Sequence, residues 1–257
     1  MMLTKRITRL LLLCSILPLT AFAAEETATS TSTATSRPAS LQAADNNTMT
    51  LKPFTAHYTT EWKVGWFSID IDASRTLRQL SNGHWQLVFE ADASAAGLTE
   101  TSEFRVEDGQ IYPLEYRYRA TGLFNEDDRT LVFAPELRRV TDLEKQKEYQ
   151  DAWDEHVQDN LTYMLQAGLD LSAGAKELTY DVFEKNRAKD FHFRVVAEEQ
   201  LNTRIGKLKT LKVQQIRKDK DRSIYAWYAI DHQYQLVRLV DRKDGKKRYQ
   251  IDITDLK

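Results

Sequence analysis

Cysteine is almost absent from this chain of 257 residues: Cys14 is the only one. It falls inside an N-terminal stretch that reads as a cleavable export signal, so the mature chain has none. That excludes disulfides as the source of stability, and with them thiolate nucleophiles and cysteine-ligated metals. Other chemical signatures are missing too. No serine stands in a G-x-S-x-G elbow, and no glycine-rich loop precedes a helix to cradle phosphate. The histidines (His57, His84, His156, His192, His232) show neither H-E-x-x-H nor H-x-H spacing. The sequence therefore names no catalytic residue, no metal ligand and no cofactor.

The N-terminus is more informative. Met1 to Ala23 has a basic start (Lys5, Arg6, Arg9), an apolar run from Leu10 to Phe22, and the small-x-small site Ala21-Phe22-Ala23. The apolar run is too short for a comfortable membrane span, so no transmembrane segment is expected after cleavage. Leu13 precedes Cys14 where a lipoprotein signal needs a small residue, which favours export to the periplasm as a soluble protein. Residues 24–50 are rich in Ser, Thr and Ala with almost no large apolar side chains, a composition that reads as a disordered tether. The folded part then runs from 51 to 257, long enough to bury an apolar core as one domain.

Within that part the apolar residues recur every second position, the signature of half-buried strands. Phe54, Ala56, Tyr58, Thr60 and Trp62 alternate with polar neighbours, as do Phe67, Ile69, Ile71 and Ala73. Further strand patterns follow at Trp85–Ala91, Leu114–Ala120, Leu178–Phe183, Phe191–Ala197, Leu211–Ile216, Ile224–Ile230, Tyr234–Val240 and Tyr249–Ile253. Ser81-Asn82-Gly83, Asp108-Gly109 and Asp244-Gly245 supply hairpin turns between them. The pattern predicts a mainly β fold, an antiparallel barrel or curved half-barrel of about ten strands.

One stretch breaks the rule. In Asp154–Leu171, DEHVQDNLTYMLQAGLDL, the residues Val157, Leu161, Met164 and Leu165 lie on a 3.6-residue period. A short α-helix over about 154–169 is predicted, capped by Asp154 or Asp159 and ended by Gly168, and packed across the open side of the sheet. Whether it seals the sheet or leaves a gap decides whether Met164 and Leu165 become pocket walls.

Charge is uneven. The formal net charge is -2, but residues 24–203 hold 18 basic and 31 acidic residues while 204–257 hold 15 and 7. Cross-strand compensation explains this simply; a cationic face containing Lys207, Lys209 and Lys212 is the sharper reading. Nucleic acid is an unsuitable partner for an exported chain of net negative charge.

The chain resembles the secreted bacterial family catalogued as domain of unknown function 3108. The resemblance lies in YTTEWKVGWFSIDI (Tyr58–Ile71), YRATGLF (Tyr118–Phe124), VQDNLTYMLQ (Val157–Gln166), NTRIGKLKTLKV (Asn202–Val213) and IYAWYAID (Ile224–Asp231). It covers about 51 to 256 and implies an exported, mostly β protein of bacteria with a periplasm, with no catalytic residues to carry over. One departure is visible: the stretch His232–Arg238 lacks the proline expected after Asp231.

Three functional readings remain. The first is a non-enzymatic protein holding a lipid or glycan of the envelope in the concave face, with Trp62, Trp66, Trp227, Met164 and Leu165 as lining residues. The second is a structural or docking module for an envelope protein. The third is a glycan hydrolase, for which Glu100, Glu103, Asp127 and Asp128 are the acids to inspect.

Overall fold

The structure, a computed structural model, describes residues 49–64, 67–93, 96–122, 127–150 and 156–257; of 61–64 and 67–70 it describes the backbone only. The expected signal (1–23) and all of the expected tether (24–50) but Met49 and Thr50 lie outside the described residues; Met49 donates its amide to Ser172 Oγ at 3.3 Å. No helix among the described residues is long and apolar enough to cross a membrane.

The alternating stretches form one antiparallel sheet of fourteen strands rather than about ten. Eight precede the helix: β1 (Phe54–Val64), β2 (Phe67–Gln79), β3 (Trp85–Ala93), β4 (Ala96–Glu107), β5 (Gln110–Gly122), β6 (Arg129–Ala134), β7 (Arg139–Asp142) and β8 (Lys147–Gln150). Six follow it: β9 (Glu177–Glu184), β10 (Arg187–Thr203), β11 (Gly206–Ile216), β12 (Arg222–Ala229), β13 (Gln235–Lys243) and β14 (Lys246–Leu256). The helix α1 is Thr162–Ser172. Each half is a meander, and β1 pairs with β14 to join them, so the spatial order runs from β8 down to β1, then from β14 down to β9. Reciprocal bonds between Thr55 and Lys257, both 2.9 Å, fasten the first strand to the chain's last residue.

Register shifts at His57/Tyr58, Glu103/Phe104, Val195/Ala197, Trp227/Tyr228 and Asp241/Arg242 bend the sheet, since a bulge adds local twist and curvature. The sheet curls but does not close, because no ladder joins β8 to β9. Side chains bridge the seam instead. The Phe183 ring of β9 meets Phe133 of β6 edge-on at 6.3 Å and Tyr149 of β8 at 5.4 Å.

The backbone just before the helix covers the same seam. Gln158 donates its amide to Asp181 O at 2.7 Å and accepts from the Phe183 amide at 2.8 Å, while its Nε2 reaches Ile111 O on β5 at 2.9 Å. Val157 and Leu161, expected in the first turns of a helix, lie in this extended segment and its turn. The apolar spacing was helical in form, but the free edge of β9 captured the backbone first. Residues 151–155, including Asp154, lie outside the described residues.

The helix itself begins where Asp159 accepts from the amides of Leu161 and Thr162, both 2.8 Å, and donates its own amide to Thr162 Oγ1 at 3.0 Å. It is not amphipathic in the expected sense, for nine of its eleven residues are buried. Leu165 and Leu169 pack into one core with Phe104, Val157, Leu161 and Phe183; Tyr163, Met164, Ala167 and Leu171 pack into a second with Leu178, Tyr180, Leu211 and Tyr228. A helix inside a curled sheet meets apolar walls on both sides, so one stripe is not enough.

Gly168 does not end the helix. A Cβ there would meet the Tyr234 carbonyl oxygen at 3.0 Å, so the glycine allows close approach of the Gln233–Tyr234 turn. The true end is Gly174, at φ +90°. Its amide bonds Leu171 O at 3.0 Å and that of Ala175 bonds Asp170 O at 3.0 Å, the paired reverse bonds of a left-handed C-terminal cap.

At the far end of β12–β14, Asp241 is fully buried between Arg222, which grips both its oxygens at 3.0 Å, and Arg248 at 2.9 Å. Asp241→Ala strands a buried guanidinium and should lower unfolding free energy by about 3–5 kcal/mol in urea titrations. Asp255→Ala, which removes an exposed partner of Lys257, should change it by less than about 1 kcal/mol.

Candidate functional site

Three places in this fold gather chemically capable side chains, and their burial separates them. The first is a polar cluster inside the sheet. On β4 and β5, the Tyr116 hydroxyl donates to Glu100 Oε2 at 2.6 Å, and Asn160 Nδ2 donates to that hydroxyl at 3.4 Å. Beside them, Ser102 Oγ donates to Asp159 Oδ2 at 2.5 Å. Along the helix, Gln166 joins the β4–β5 turn at Ile111 N (2.8 Å) and Gly109 O (3.1 Å), and Asp170 accepts from Gln166 Nε2 and the Tyr180 hydroxyl at 2.8 and 2.7 Å.

These groups hold the helix rather than face a cleft. Burial raises the Asp159 carboxyl above the usual carboxylate range against hydrogen bonds from Ser102, Thr162 and Leu161, and it raises Asp170 in the same way. Burial, with Glu100 adding to it, lifts the Tyr116 hydroxyl well above its ordinary value. The other acids singled out for glycan hydrolysis are dispersed. Glu103 meets His84 Nδ1 at 2.9 Å, Asp128 lies 3.6 Å from Arg119, and Asp127 is exposed. No group of three metal-binding side chains forms among the described residues.

The second place is the wall of α1. Met164 and Leu165 are both buried, and the spaces beside them are narrow: about 10 Å³ toward β2 and the Gln233–Tyr234 turn, and about 20 Å³ beside Met164 toward β12. Each has room for about one water. Trp227 does not join them. Ala226 and Tyr228 pack in the second core beside the helix, whereas Trp227, next to a register shift in β12, packs in the first core and borders a separate groove. The side chain of Trp62, whose backbone pairs with Ile69, and the whole of Trp66 lie outside the described residues.

The third place lies on β11 to β14, around Trp227. A groove of about 440 Å³ is lined by Lys212, Ser223, Tyr225, Trp227, Arg238, Val240, Arg242 and Gln250. Cross-strand pairing builds it in rows: Lys212, Trp227, Arg238 and Asp252 stand abreast on β11 to β14, with Gln214, Tyr225, Val240 and Gln250 in the next row. Trp227 is only 7 % exposed and donates its Nε1 to Glu199 Oε1 at 2.6 Å, which locks the indole. The Tyr225 and Trp227 rings lie 6.2 Å apart, tilted by 48°. Lys212 Nζ sits 5.0 Å from one centroid and 5.1 Å from the other, within cation–π range. Arg238 is ion-paired with Asp252, and Arg242 reaches Gly245 O at 3.4 Å.

Sequence reasoning found Trp227 and Lys212 here but missed Tyr225, Arg238, Arg242 and Gln250. Their signal was the period of two: each falls on the same parity as Trp227 once the pairing is known. The same parity breaks up the lysine face, because Lys212 points to the groove while Lys207 and Lys209 are of opposite parity, and Lys209 is paired with Glu198 at 2.8 Å.

The buried Asp159 generates a prediction. A carboxyl with a raised native value binds its proton more readily folded than unfolded. Its effect on stability is therefore most favourable below the unfolded value of about 4 and is lost as pH climbs through the raised native value. Asp159→Asn keeps an acceptor for the two helix amides and deletes this titration. In urea unfolding from about pH 4 upward, the wild type should lose stability relative to the variant as pH rises. Parallel profiles would remove the account.

The comparisons agree with this architecture. Among solved structures, the chain is similar to a β-barrel-like protein of domain of unknown function DUF1849 from Brucella abortus, with 8% identity, a TM-score of 0.52, and coverage of 80% of this chain and 97% of that one. At that identity the likeness concerns the fold alone. Two further matches are a candidate lipoprotein from Parabacteroides distasonis (12% identity, TM-score 0.30, 80% and 96% coverage) and a DUF1329 family protein from Desulfovibrio piger (9%, 0.24, 83% and 86%). No curated protein matches the sequence. The family model described as "Protein of unknown function (DUF3108)" matches residues 53–252, and the chain belongs to that family.

Proposed function

We propose that this protein is a non-catalytic binding protein of the bacterial cell envelope, exported to the periplasm, whose ligand is a glycan bearing acidic groups held in the outer groove of β11–β14. The observation that carries the reading is the groove's composition: two aromatic rings, one of them locked, beside Lys212, Arg238 and Arg242, in a volume of about 440 Å³. That volume lies in the range of small-ligand sites, about 300–1,000 Å³. Ring faces stack on the C–H faces of sugars, and a cation already resting over them is placed to meet an acid group on the same sugar.

An acyl chain suits this protein less well. It needs a long apolar cavity, and the described spaces along α1 have room for about a single water each. The groove, by contrast, offers charged and hydrogen-bonding walls on a rigid sheet that needs no rearrangement to bind.

The test is calorimetric titration of the purified mature chain with acidic trisaccharides (uronate, sulfate and phosphate forms) and their neutral counterparts. An acidic member should bind and its neutral counterpart should not. The double variant Lys212→Ala/Arg242→Ala should weaken binding by about tenfold or more, equivalent to about 1.4 kcal/mol. Neither residue is buried, so thermal stability should hardly move. Equal binding of neutral and acidic sugars, or affinity unchanged in the variant, would overturn the reading.

A further inference from the structure

The turns that join β11 to β12 and β13 to β14 lie side by side at one end of the sheet. Asp244 donates its amide to Asp221 O at 2.7 Å, and Arg222 pairs across the strands with Lys243. Residues 217–222 and 241–248 together carry nine basic and four acidic residues, so this end is strongly cationic. Of the acids, Asp241 is buried between Arg222 and Arg248, and Asp219 turns back to accept the Asp221 amide at 3.1 Å. Lys218, Lys220, Arg242, Lys243, Lys246 and Lys247 are exposed, and none of them forms an ion pair with a carboxylate among the described residues.

The strand register makes this arrangement costly. Lys243 stands opposite both Arg222 on β12 and Lys246 on β14, and Arg242 stands opposite Lys247. Like charges directly opposite each other destabilise a sheet. Elsewhere in the same sheet the register does the reverse. Arg194 stands opposite Glu177 at 2.6 Å, and earlier along β13 Arg238 stands opposite its ion-pair partner Asp252. The repulsion is therefore local to these turns, and an anionic partner relieves it.

The surroundings select the kind of partner. The cations stand on two adjacent turns and the strand ends beside them, an arrangement that suits an extended surface better than one small anion. Ile216, 43 % exposed, begins the β11–β12 connection and sets an apolar side chain in the same region. Lysines around an exposed aliphatic residue match the boundary of an anionic bilayer, where phosphate groups lie over hydrocarbon. A soluble polyanion offers the charge without the apolar layer.

We propose that the paired turns are a docking surface for a membrane containing anionic phospholipid, with the lysines on the phosphate groups and Ile216 at the edge of the acyl layer. The surface does not depend on the groove's ligand. It shares Arg242 with the groove, so docking sets the groove close to the bilayer.

The experiment is flotation of the mature chain with vesicles of phosphatidylcholine and with vesicles of an equimolar mixture of phosphatidylcholine and phosphatidylglycerol. At low salt the chain should float with the mixed vesicles and not with the neutral ones. Molar sodium chloride should release it, because the screening length falls to about 3 Å. Each lysine near the surface is worth about fivefold in partitioning, so Lys243→Gln/Lys246→Gln should weaken binding by about twentyfold. Lys207→Gln/Lys209→Gln, an equal change of charge at the other end of β11, should bind as the wild type does. Because Lys243→Gln/Lys246→Gln also removes a like-charged pair, its Tm at low salt should be no lower than that of the wild type. Equal flotation with neutral vesicles, retention in molar salt, the same loss in both variants, or a lowered Tm in Lys243→Gln/Lys246→Gln overturns the proposal. Capture on immobilised polyphosphate without flotation on the mixed vesicles overturns it too, in favour of a soluble polyanion.

Discussion

The open seam between β8 and β9 is the constraint on which the rest of this protein depends. A sheet of fourteen strands that curls without closing leaves an unpaired edge and an exposed concave face, and both are liabilities in water. The chain resolves both with the segment that connects its two meanders. Gln158 satisfies the edge of β9 through backbone bonds and ties it to β5 through its side chain. Immediately afterwards α1 enters the concavity and divides it into two packed cores. Because seam and plug are consecutive in sequence, losing one would expose the other.

Burying a helix so completely raises a polar problem, and the solution explains the interior acids. The helix start, a free amide on β5 and the carbonyls near the β4–β5 turn all need partners away from water. Asp159, Gln166 and Asp170 supply them from the helix side. Their unusual electrostatics follow from this anchoring, which is why perturbed acids in this fold do not mark a catalytic cleft.

The division of labour between sheet faces follows from the same geometry. The concave face is spent on holding the helix. Across β11 to β14 the groove residues combine core side chains, Trp227 and Val240, with the more accessible Lys212 and Arg242. Glu199 of β10 reaches past β11 to fix the indole of Trp227 on β12, so the groove is organised before any ligand arrives.

Much of the fold was legible because its determinants are local. Alternating side chains mark strands whatever they pair with, and Gly83, Gly109 and Gly245, all at positive φ, sit in the turns their sequences announce. The helix was legible as a helix but not in its bounds. Val157 and Leu161 have helical spacing, yet the edge of β9 drew their backbone out of the helix, and an unpaired edge cannot be seen from one segment. Gly168 reads as a stop signal, and only the Tyr234 carbonyl beside it reveals a packing role. By itself, then, the sequence determined the strand rhythm, the turns and the existence of one inserted helix, since these depend on neighbours along the chain. The tertiary structure alone decided what surrounds Trp227 and what closes the seam, because each depends on which distant strand arrives alongside.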